Sequence, residues 1–287
     1  MPRHSGQLIT ALLRYDGLES GNIMKTYTLY SWNVNGLRAI SSKEVLPGVL
    51  FPGLPAHENI DILCIQETKA DAHSLKPDIT RIPDYFFYIN PAERKGYSGV
   101  AMYSRTEPES IELGGLSPEF DSEGRIITAR FPEFVLMNVY FPNGGASDER
   151  LAFKLRFYDA FLEKIKTMDA AGERIIFCGD VNTAHKPIDL ARPKENELVS
   201  GFLPIEREWI DRVIAAGFYD SFRLFSDEGN QYSWWDYKSR ARTRNVGWRI
   251  DYFFVNTAAK PFITGAGIRN DIMGSDHCPV TLTLEFP

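Results

Sequence analysis

The sequence contains little cysteine: Cys64, Cys178 and Cys278 are the three in 287 residues, and no two of them form a Cys-x-x-Cys motif. So few and so scattered thiols argue against a disulfide framework and against a thiolate zinc site. All three lie in apolar or turn contexts. We therefore expect reduced thiols in the core of a cytoplasmic protein.

Long apolar runs and low-complexity tracts are also absent. No apolar run approaches the roughly 20 residues that cross a bilayer, so we expect no membrane partner. Residues 25–287 contain no linker rich in Gly, Ser or Pro and no repeat of fixed period, which predicts a single domain. Residues 1–24 lack a convincing signal-peptide cleavage site, and we interpret them as a flexible N-terminal extension.

The chain has no excess of basic residues, since 32 Lys and Arg against 38 Asp and Glu give a net charge of −6. This balance provides no overall attraction to nucleic acid. The basic residues are nevertheless clustered in one segment, at Lys238, Arg240, Arg242, Arg244 and Arg249. Such a cluster is typical of a loop that binds a phosphate backbone, although an ordinary solvated loop is the alternative.

Short β-branched and aromatic runs are frequent and predict strands. They occupy residues 26–32, 60–66, 111–113, 125–131, 134–140, 175–179, 231–237, 249–256 and 279–285. Helical patterns are fewer and interrupt the strands at irregular intervals. This combination predicts an α/β fold in which two β-sheets pack face to face and helices cover the outside.

Two helices are predicted from apolar residues at helical spacing. The first is capped by Ser147 or Asp148, and the second runs from about Pro204 to Ala216 and stops at Gly217. The apolar positions are Leu151, Leu155, Tyr158, Leu162 and Ile165 in the first helix, and Trp209, Ile210, Val213 and Ile214 in the second.

Polar side chains follow several of the predicted strands at the point where each strand ends. They are Asn33, Asn35, Glu67, Tyr140, Asn143, Asp180, Asn182, Asp251, Asp276 and His277. Strand residues alternate between faces, so Asp180 and Asn182 of the segment GDVN project to the same side. Each of these residues has an ordinary structural explanation when taken alone, such as turn chemistry or a solvated charge. Their repetition favours one shared site.

The chemistry of this set indicates a metal-dependent hydrolase. Carboxylate and amide oxygens without thiolates suit a hard cation such as Mg²⁺ or Mn²⁺. A hard cation beside a histidine–carboxylate pair suits hydrolysis of a phosphate ester. The sequence has no nucleophilic serine elbow, Walker loop or Gly-x-Gly-x-x-Gly motif.

Six motifs, in order, resemble the exonuclease III/apurinic-apyrimidinic (AP) endonuclease family. They are QETK, GYSGVAM, GDVN, GFLPIEREW, NVGWRIDYFF and GSDHCP, and the resemblance extends from about residue 27 to the C-terminus. It implies a DNase I-like four-layer α/β sandwich. It also implies Mg²⁺-dependent cleavage of double-stranded DNA 5′ to abasic sites, 3′→5′ exonuclease activity at 3′-end lesions, substitution by Mn²⁺, and a monomer that works on the nucleoid.

The resemblance implies a role for each matching residue. Glu67 would be the chief metal ligand, with support from Asn35 and Asp276. The wider metal centre would comprise Asn35, Glu67, Asp180, Asn182, Asp276 and His277. Asp180 would activate or position the attacking water, and either Asp180 or Tyr140 could be the base.

The remaining site residues would bind the phosphate. Asn33 and Asn182 would hold the water and the phosphate, and Asn143 would bind phosphate oxygens. Tyr140 would stabilise charge on the scissile phosphate, as would His277, which Asp251 would orient. By the same resemblance, DNA would lie along Arg38, Tyr97, Lys186, Arg192, Asn196 and the basic loop, and Trp234, Trp248 and Ile250 would form the pocket for a flipped abasic sugar.

Three departures from the family pattern leave the substrate open. Asn35 replaces an aspartate of some members, Ala146 replaces an arginine that some relatives insert into DNA, and Trp234 stands where phenylalanine is frequent. The pair Trp234–Trp235 and Lys238 resemble members that nick at deoxyuridine, so this activity is an alternative. A phosphodiesterase of the same superfamily with a non-DNA substrate and a non-enzymatic DNA-binding module are the others.

Overall fold

Two six-stranded sheets stack face to face in the computed structural model, which describes residues 24–43 and 59–287. In spatial order the first sheet contains β13 (Ile263–Ile268), β14 (Val280–Phe286), β1 (Lys25–Asn33), β2 (Ile62–Gln66), β4 (Val100–Ser104) and β3 (Phe86–Asn90). The second contains β5 (Ser110–Leu113), β6 (Ile126–Arg130), β7 (Val135–Val139), β8 (Ile175–Asp180), β12 (Asp251–Asn256) and β9 (Phe218–Asp220). A separate ribbon pairs β10 (Trp234–Trp235) with β11 (Gly247–Trp248). The predicted extension at residues 1–24 lies outside the described residues except for Met24.

Helices cover the outer faces of both sheets. They are α1 (Leu37–Ser42), α2 (Pro77–Thr80), α3 (Pro118–Asp121), α4 (Asp148–Ala170), α5 (Pro193–Asn196) and α6 (Pro204–Ala215). Apolar side chains such as Leu29 and Leu136 are buried in the layer between the two sheets. Phe157 of α4 and Trp209 of α6 pack on the outer face of the second sheet, and Ile40 of α1 packs on that of the first. Burial of each such side chain stabilises the fold by about 1.5–3 kcal/mol. The predicted α/β arrangement of two packed sheets with helices outside is confirmed.

The two long helices follow the predicted positions with corrections of detail. Ser147 caps α4, where its hydroxyl accepts a hydrogen bond from the backbone N–H of Arg150 at 3.3 Å. The buried side of α4 is more aromatic than predicted, since Phe153, Phe157 and Phe161 lie on it while Leu151 and Leu155 are only partly buried. The predicted burial of Ile214 is wrong. Its side chain is 41% exposed because it lies on the outer side of α6.

Other sequence predictions have mixed outcomes. Cys64, Cys178 and Cys278 are free and buried, as expected. The strand predicted at residues 231–237 is limited to Trp234–Trp235, which pairs with the short strand β11. Among the helices in the described part of the chain, none is long and apolar enough to cross a membrane.

Strand direction brings the polar ends of the two sheets together. β1 runs parallel to β2 with Asn33 opposite Gln66, so both strands end at the same edge of the first sheet. In the second sheet β8 is antiparallel to β12, and Asp180 at the end of β8 faces Asp251 at the start of β12. The side-chain amide of Asn33 donates to Asp180 at 2.9 Å, which joins the two edges. The site therefore lies at one end of the double sheet.

A buried ion pair supports this edge from behind. Lys154 of α4 and Glu206 of α6 are both fully buried, and the Lys154 ammonium donates to a Glu206 oxygen at 2.6 Å. The same ammonium donates to the carbonyl oxygen of Asn182 at 2.8 Å and to the hydroxyl of Thr183 at 2.9 Å. Glu206 in turn accepts the backbone N–H of Gly201 at 2.6 Å. This pair fixes both helices against the segment that carries Asn182.

Replacing Lys154 with methionine should lower the free energy of unfolding by about 3–5 kcal/mol, because it leaves the Glu206 carboxylate buried without its cation. Chemical denaturation followed by circular dichroism measures the change. Lys166→Met is the matched control, since Lys166 pairs with Glu163 on the exposed side of the same helix and should change stability by less than about 1 kcal/mol. Equal midpoints for the two variants would contradict the role of the buried pair.

Candidate active site

Most of the predicted catalytic, metal and sugar-pocket residues line one pocket of about 460 Å³, and Asn33 and Asp251 contact it through Asp180 and His277. Its lining includes Asn35, Glu67, Lys69, Tyr140, Asn143, Asp180, Asn182, Trp234, Trp248, Ile250, Asp276 and His277. Val199, Ser200 and Gly201 complete one side of the lining. The pocket therefore joins residues from both sheets, the ribbon and the loops that follow α5 and precede β14.

Asp180 is the centre of a network of amides. One of its carboxylate oxygens accepts hydrogen bonds from the side-chain amides of Asn33 at 2.9 Å and Asn182 at 3.2 Å. The other accepts the backbone N–H of Asn182 at 2.8 Å. Asn143 extends the network, because its amide donates to the Asn182 side-chain oxygen at 2.9 Å. The amides hold the Asp180 carboxylate in one orientation at the base of the pocket.

Gly179 allows the chain to approach closely just before Asp180. Its φ of +138° is a backbone angle that residues with a side chain rarely adopt. A Cβ at this position would also overlap the carbonyl oxygen of Val139. Glycine is therefore the residue that lets β8 end against β7 and turn Asp180 into the pocket.

Four site residues other than glycine have a left-handed backbone. The φ angles are 49° at Asn35, 58° at Glu67, 50° at Lys69 and 57° at Asn182. Such residues cost of order 1–3 kcal/mol each and persist where surrounding bonds impose them. The Glu67 carbonyl accepts the backbone N–H of Gly36 at 2.8 Å, which ties the two loops together. The concentration of strained residues at one pocket is typical of a functional site.

His277 lies between two carboxylates. Its Nδ1–H donates to Asp251 at 2.9 Å, and its Nε2 lies 3.8 Å from an Asp180 oxygen. Ser233 orients Asp251 by donating its hydroxyl to the same carboxylate oxygen at 2.6 Å. Burial lowers the pKa of His277, but Asp251 and Asp180 outweigh this effect and raise the pKa to about 10. The imidazole is therefore protonated at neutral pH.

The pKa of Asp180 is also strongly shifted. Burial and the neighbouring charge of Asp251 raise it to about 7, although the positive charge of His277 acts in the opposite direction. A carboxylate with a pKa near neutrality can accept a proton from water more readily than an ordinary aspartate. Asp180 has the environment of a general base.

A second group of oxygens lies beside this pair, and we call Asn35, Glu67 and Asp276 the oxygen cluster. The side-chain amide of Asn35 donates to Asp276 at 3.0 Å. The ammonium of Lys69 lies 2.8 Å from a Glu67 oxygen and donates to the side-chain oxygen of Asn35 at 2.6 Å. Burial raises the pKa of Asp276, but His277 and Asn35 outweigh this effect and hold the pKa below its usual range. Asp276 is therefore ionised at neutral pH.

The oxygen cluster has the composition of a site for a hard divalent cation, because carboxylate and amide oxygens are the ligands that Mg²⁺ prefers. The Lys69 ammonium shows that positive charge is stabilised between Glu67 and Asn35. Asp180, Asp251 and His277 also lie close together, with ligand atoms within 4.8 Å of one another. The Nδ1 of His277 is occupied by Asp251, which leaves Nε2 as the ring nitrogen nearest to Asp180.

Tyr140 follows β7 of the second sheet and lines the pocket together with Glu67 of the oxygen cluster. Burial, Glu67 and Asp180 raise the pKa of Tyr140 well above its ordinary value. The hydroxyl therefore keeps its proton at neutral pH and acts as a donor. This protonation favours Asp180 over Tyr140 as the base.

The apolar wall of the pocket consists of Trp234, Trp248 and Ile250, and the buried Phe202 packs in the same cluster. Trp234 and Trp248 face each other across the ribbon with ring centroids 6.2 Å apart and nearly perpendicular planes. Arg249 lies behind this wall and is fully buried, where it donates to Asp189 at 2.8 Å and to Asp220 at 2.7 Å. The sequence interpretation that placed Arg249 in the basic surface is therefore wrong, since its charge is neutralised inside the protein.

The other residues assigned to the DNA track lie in different environments. Lys238, Arg240 and Arg244 are exposed, as is Arg38 in α1. Arg242 is instead half-buried, with its guanidinium 4.5 Å from the Trp235 ring centroid and donating to the carbonyl oxygens of residues 270, 272 and 275. The Arg242 side chain therefore holds its own loop against residues 270–275.

The side chains predicted on the opposite flank of the pocket have local partners. Lys186 pairs with Asp211 at 2.7 Å. Asn196 donates to the carbonyl oxygen of Arg192 at 2.7 Å, and the Arg192 guanidinium lies 3.3 Å from a Glu195 oxygen. These contacts order the surface around α5.

Tyr97 lines a neighbouring pocket of about 590 Å³, which we call the Tyr97 pocket and which shares Tyr140 and Asn143 with the main one. The Tyr97 hydroxyl accepts hydrogen bonds from Arg125 at 3.1 Å and Arg150 at 3.0 Å. Sequence reasoning missed both arginines, because Arg125 lies inside a predicted strand and Arg150 inside a predicted helix. It also left Lys69 without a role, although Lys69 follows Glu67 by two residues.

Comparison with known proteins agrees with this geometry. Residues 30–277 match the family described as the Endonuclease/Exonuclease/phosphatase family. The chain is 44% identical over 257 residues to the DNA repair nuclease APEX1 of Danio rerio, covering 88% of this chain and 81% of that protein. It is also 44% identical over 261 residues to an exodeoxyribonuclease of Bacillus subtilis (strain 168), covering 90% of this chain and 99% of that protein.

Similarity to solved structures confirms the fold. The crystal structure of the AP endonuclease LMAP from Leishmania major aligns with a TM-score of 0.79 and 28% sequence identity, covering 91% of this chain and 88% of that one. The two mixed sheets with flanking helices are the DNase I-like sandwich that the motifs implied. The chain belongs to the Endonuclease/Exonuclease/phosphatase family, in its group of exodeoxyribonucleases and AP endonucleases, and is a phosphodiester-hydrolysing enzyme.

Proposed function

We propose that this enzyme is a Mg²⁺-dependent DNA repair nuclease that hydrolyses the phosphodiester 5′ to abasic sites and also has 3′→5′ exonuclease activity. The main supporting observation is the position of the protonated His277 3.8 Å from Asp180, beside the oxygen cluster and the apolar wall. This arrangement would provide a general base, a hydrogen-bond donor to the phosphate and a metal site. It would also provide a pocket for a sugar that lacks its nucleobase. The names of the similar nucleases support the same activity.

Glu67, Asn35 and Asp276 would hold the cation, and Mn²⁺ would substitute for Mg²⁺. When bound, the cation stabilises negative charge on the phosphate and on the leaving oxygen. Lys69 would shift from its position between Glu67 and Asn35 as the cation enters.

The protein side chains perform the proton transfers and bind the phosphate. Asp180 takes a proton from the attacking water, which Asn182 and Asn33 hold in line. His277 donates from its protonated ring to a phosphate oxygen, and Asp251 keeps that ring oriented. A positioned base typically contributes about 10²–10⁴-fold to the rate. Removing one donor to the developing negative charge costs about 10²–10³-fold.

Tyr140 and Asn143 would complete the contacts to the phosphate. The protonated Tyr140 hydroxyl donates to a phosphate oxygen beside Glu67. The Asn143 side chain lies at the border with the Tyr97 pocket, where it would bind the next oxygen along the backbone. The arginines of that pocket would extend the contact to the neighbouring phosphate.

Double-stranded DNA would be held by local positive charge in spite of the net charge of −6. The exposed cations Lys238 and Arg240 line a neighbouring pocket that shares Asp276 with the main one, and the exposed Arg38 of α1 lies three residues after Asn35. A flipped sugar would lie against Trp234 and Trp248, where a normal base would require more room. The enzyme would act on DNA as a monomer.

Nicking at deoxyuridine is the second candidate activity. Trp234 and Trp248 both line the pocket and lie with ring centroids 6.2 Å apart. Aromatic side chains of this kind can stack with a pyrimidine ring, whereas an abasic sugar offers no ring to stack. The same site would then accept both lesions with different rates.

Removal of divalent metal should abolish nicking of a duplex that carries a tetrahydrofuran abasic analogue, and Mg²⁺ or Mn²⁺ should restore it after EDTA treatment. Gel analysis compares this duplex with a deoxyuridine duplex, a recessed 3′ end and an inositol polyphosphate. We expect the abasic duplex to be cut fastest. Binding without cutting would indicate a DNA-binding module, and hydrolysis of the inositol polyphosphate with the duplex left intact would indicate a different phosphodiesterase.

Replacing His277 with asparagine should lower the single-turnover rate of incision by about 10²–10³-fold, because the protonated donor to the phosphate is lost. Glu67→Gln should lower the rate by a comparable factor through the metal site. Binding of the abasic duplex, measured by fluorescence anisotropy in EDTA, should change little in both variants. His73→Asn is the matched control, since His73 is exposed, and normal turnover in His277→Asn would refute the assignment.

Replacing Arg240 with glutamine should reduce the slope of log affinity against log salt by about one, because one contact to a phosphate is lost. Arg242→Gln should instead lower the thermal midpoint of unfolding, since its guanidinium braces three backbone carbonyls. Binding titrations at several salt concentrations and thermal melts separate the two effects. An unchanged salt slope in Arg240→Gln would remove Arg240 from the DNA interface.

A further inference from the structure

Trp234 belongs to both the apolar wall and the surroundings of the oxygen cluster. Its ring packs against Trp248 with centroids 6.2 Å apart. The indole N–H points the other way and donates to the Asp276 Oδ2 at 3.3 Å. A single side chain therefore contacts the place proposed for the sugar and a carboxylate proposed for the metal.

We propose that Trp234 is a positioning residue that orients the Asp276 carboxylate toward the divalent cation and couples metal affinity to occupation of the apolar pocket. This inference rests on the proposed function, which assigns Asp276 to the metal site and the apolar pocket to the sugar. A phenylalanine at this position would keep the wall but would have no group that donates to Asp276.

The hydrogen bonds of Asp276 show how the indole acts. The Asp276 Oδ1 accepts the amide of Asn35 at 3.0 Å and the hydroxyl of Ser275 at 3.2 Å, while Oδ2 accepts the indole. Donors on both oxygens fix the plane of the carboxylate. Oδ2 accepts one of these bonds and still has a lone pair for a cation. Partners of this kind orient metal ligands, and their loss typically costs 10–100-fold in metal affinity.

The backbone keeps Trp234 in register with the site. Residues 233–235 run antiparallel to residues 276–278, with Trp234 forming a bridge to His277. The Trp235 N–H donates to the Asp276 carbonyl oxygen at 3.0 Å, and the Cys278 N–H donates to the Ser233 carbonyl oxygen at 2.8 Å. Because these bonds flank Trp234, its backbone is held in register with Asp276 and its indole lies within reach of that carboxylate.

Coupling follows from this geometry. A sugar that packs on the indole stabilises the orientation in which the N–H bonds Asp276. Metal binding at Asp276 in turn stabilises the same orientation of the indole. The two ligands should therefore strengthen each other's binding by the same factor.

The test is Mn²⁺ binding to the intact chain, measured by electron paramagnetic resonance of the free ion without any DNA. We expect Trp234→Phe to weaken the Kd for Mn²⁺ about tenfold. Trp248→Phe is the matched control, since it changes the same wall without a contact to Asp276, and its Kd should equal that of the wild type. Excess Mn²⁺ should restore incision by Trp234→Phe to a much larger fraction of the wild-type rate.

The outcomes separate the two proposals. Equal Kd values for Trp234→Phe and the wild type would overturn the positioning role and leave the proposed function intact. No Mn²⁺ binding by the wild type would overturn the metal assignment and the positioning role together. A measurement on the wild type covers the case in which the variant does not fold. In the NMR spectrum of the wild type, which contains five tryptophans, the indole N–H resonance of Trp234 should shift on addition of Mg²⁺. Indole resonances that do not shift would also overturn the positioning role.

Discussion

The structure depends on a buried positive charge held between two negative ones. His277 is almost fully buried, and Asp251 and Asp180 compensate the cost of keeping its ring protonated there. Because Asp180 and Asp251 are opposite residues of neighbouring strands, the second sheet sets the spacing of the two carboxylates. The first sheet and the chain before β14 bring the histidine to them. Removing the charge of the histidine would leave the two carboxylates buried without the cation between them.

Irregular backbone surrounds this rigid arrangement. The left-handed residues Asn35, Glu67 and Asn182 each follow the end of a strand by no more than two residues. A regular continuation of the strands would carry their side chains past the pocket. Strain of this size is tolerated because stable sheets and the buried Lys154–Glu206 pair hold the flanking segments. The stability of the sheets and of the buried ion pair therefore offsets the backbone strain at the site.

Much of the fold and the site could be predicted from the sequence, because apolar periodicity and polar strand ends are local signals. The positions of α4 and β8 and the convergence of Glu67 with Asp180 follow from such signals. The roles of basic residues could not be predicted in the same way. Arg240 and Arg249 are nine positions apart in one cluster, yet one is exposed and the other neutralised in the core. Their difference depends on Asp189 and Asp220, which are distant in sequence.

The border shared by the two pockets has a consequence for the length of the substrate. Tyr140 and Asn143 line both the main pocket and the Tyr97 pocket, so a ligand in one continues directly into the other. A mononucleotide would fill only one of them, whereas a polymer would occupy both with its successive phosphates. Because the second contact would then be intramolecular, the proposed function implies a higher affinity for an oligomer than for a monomer. The adjacency of two cavities would in that case distinguish a nucleic-acid chain from its fragments independently of base sequence.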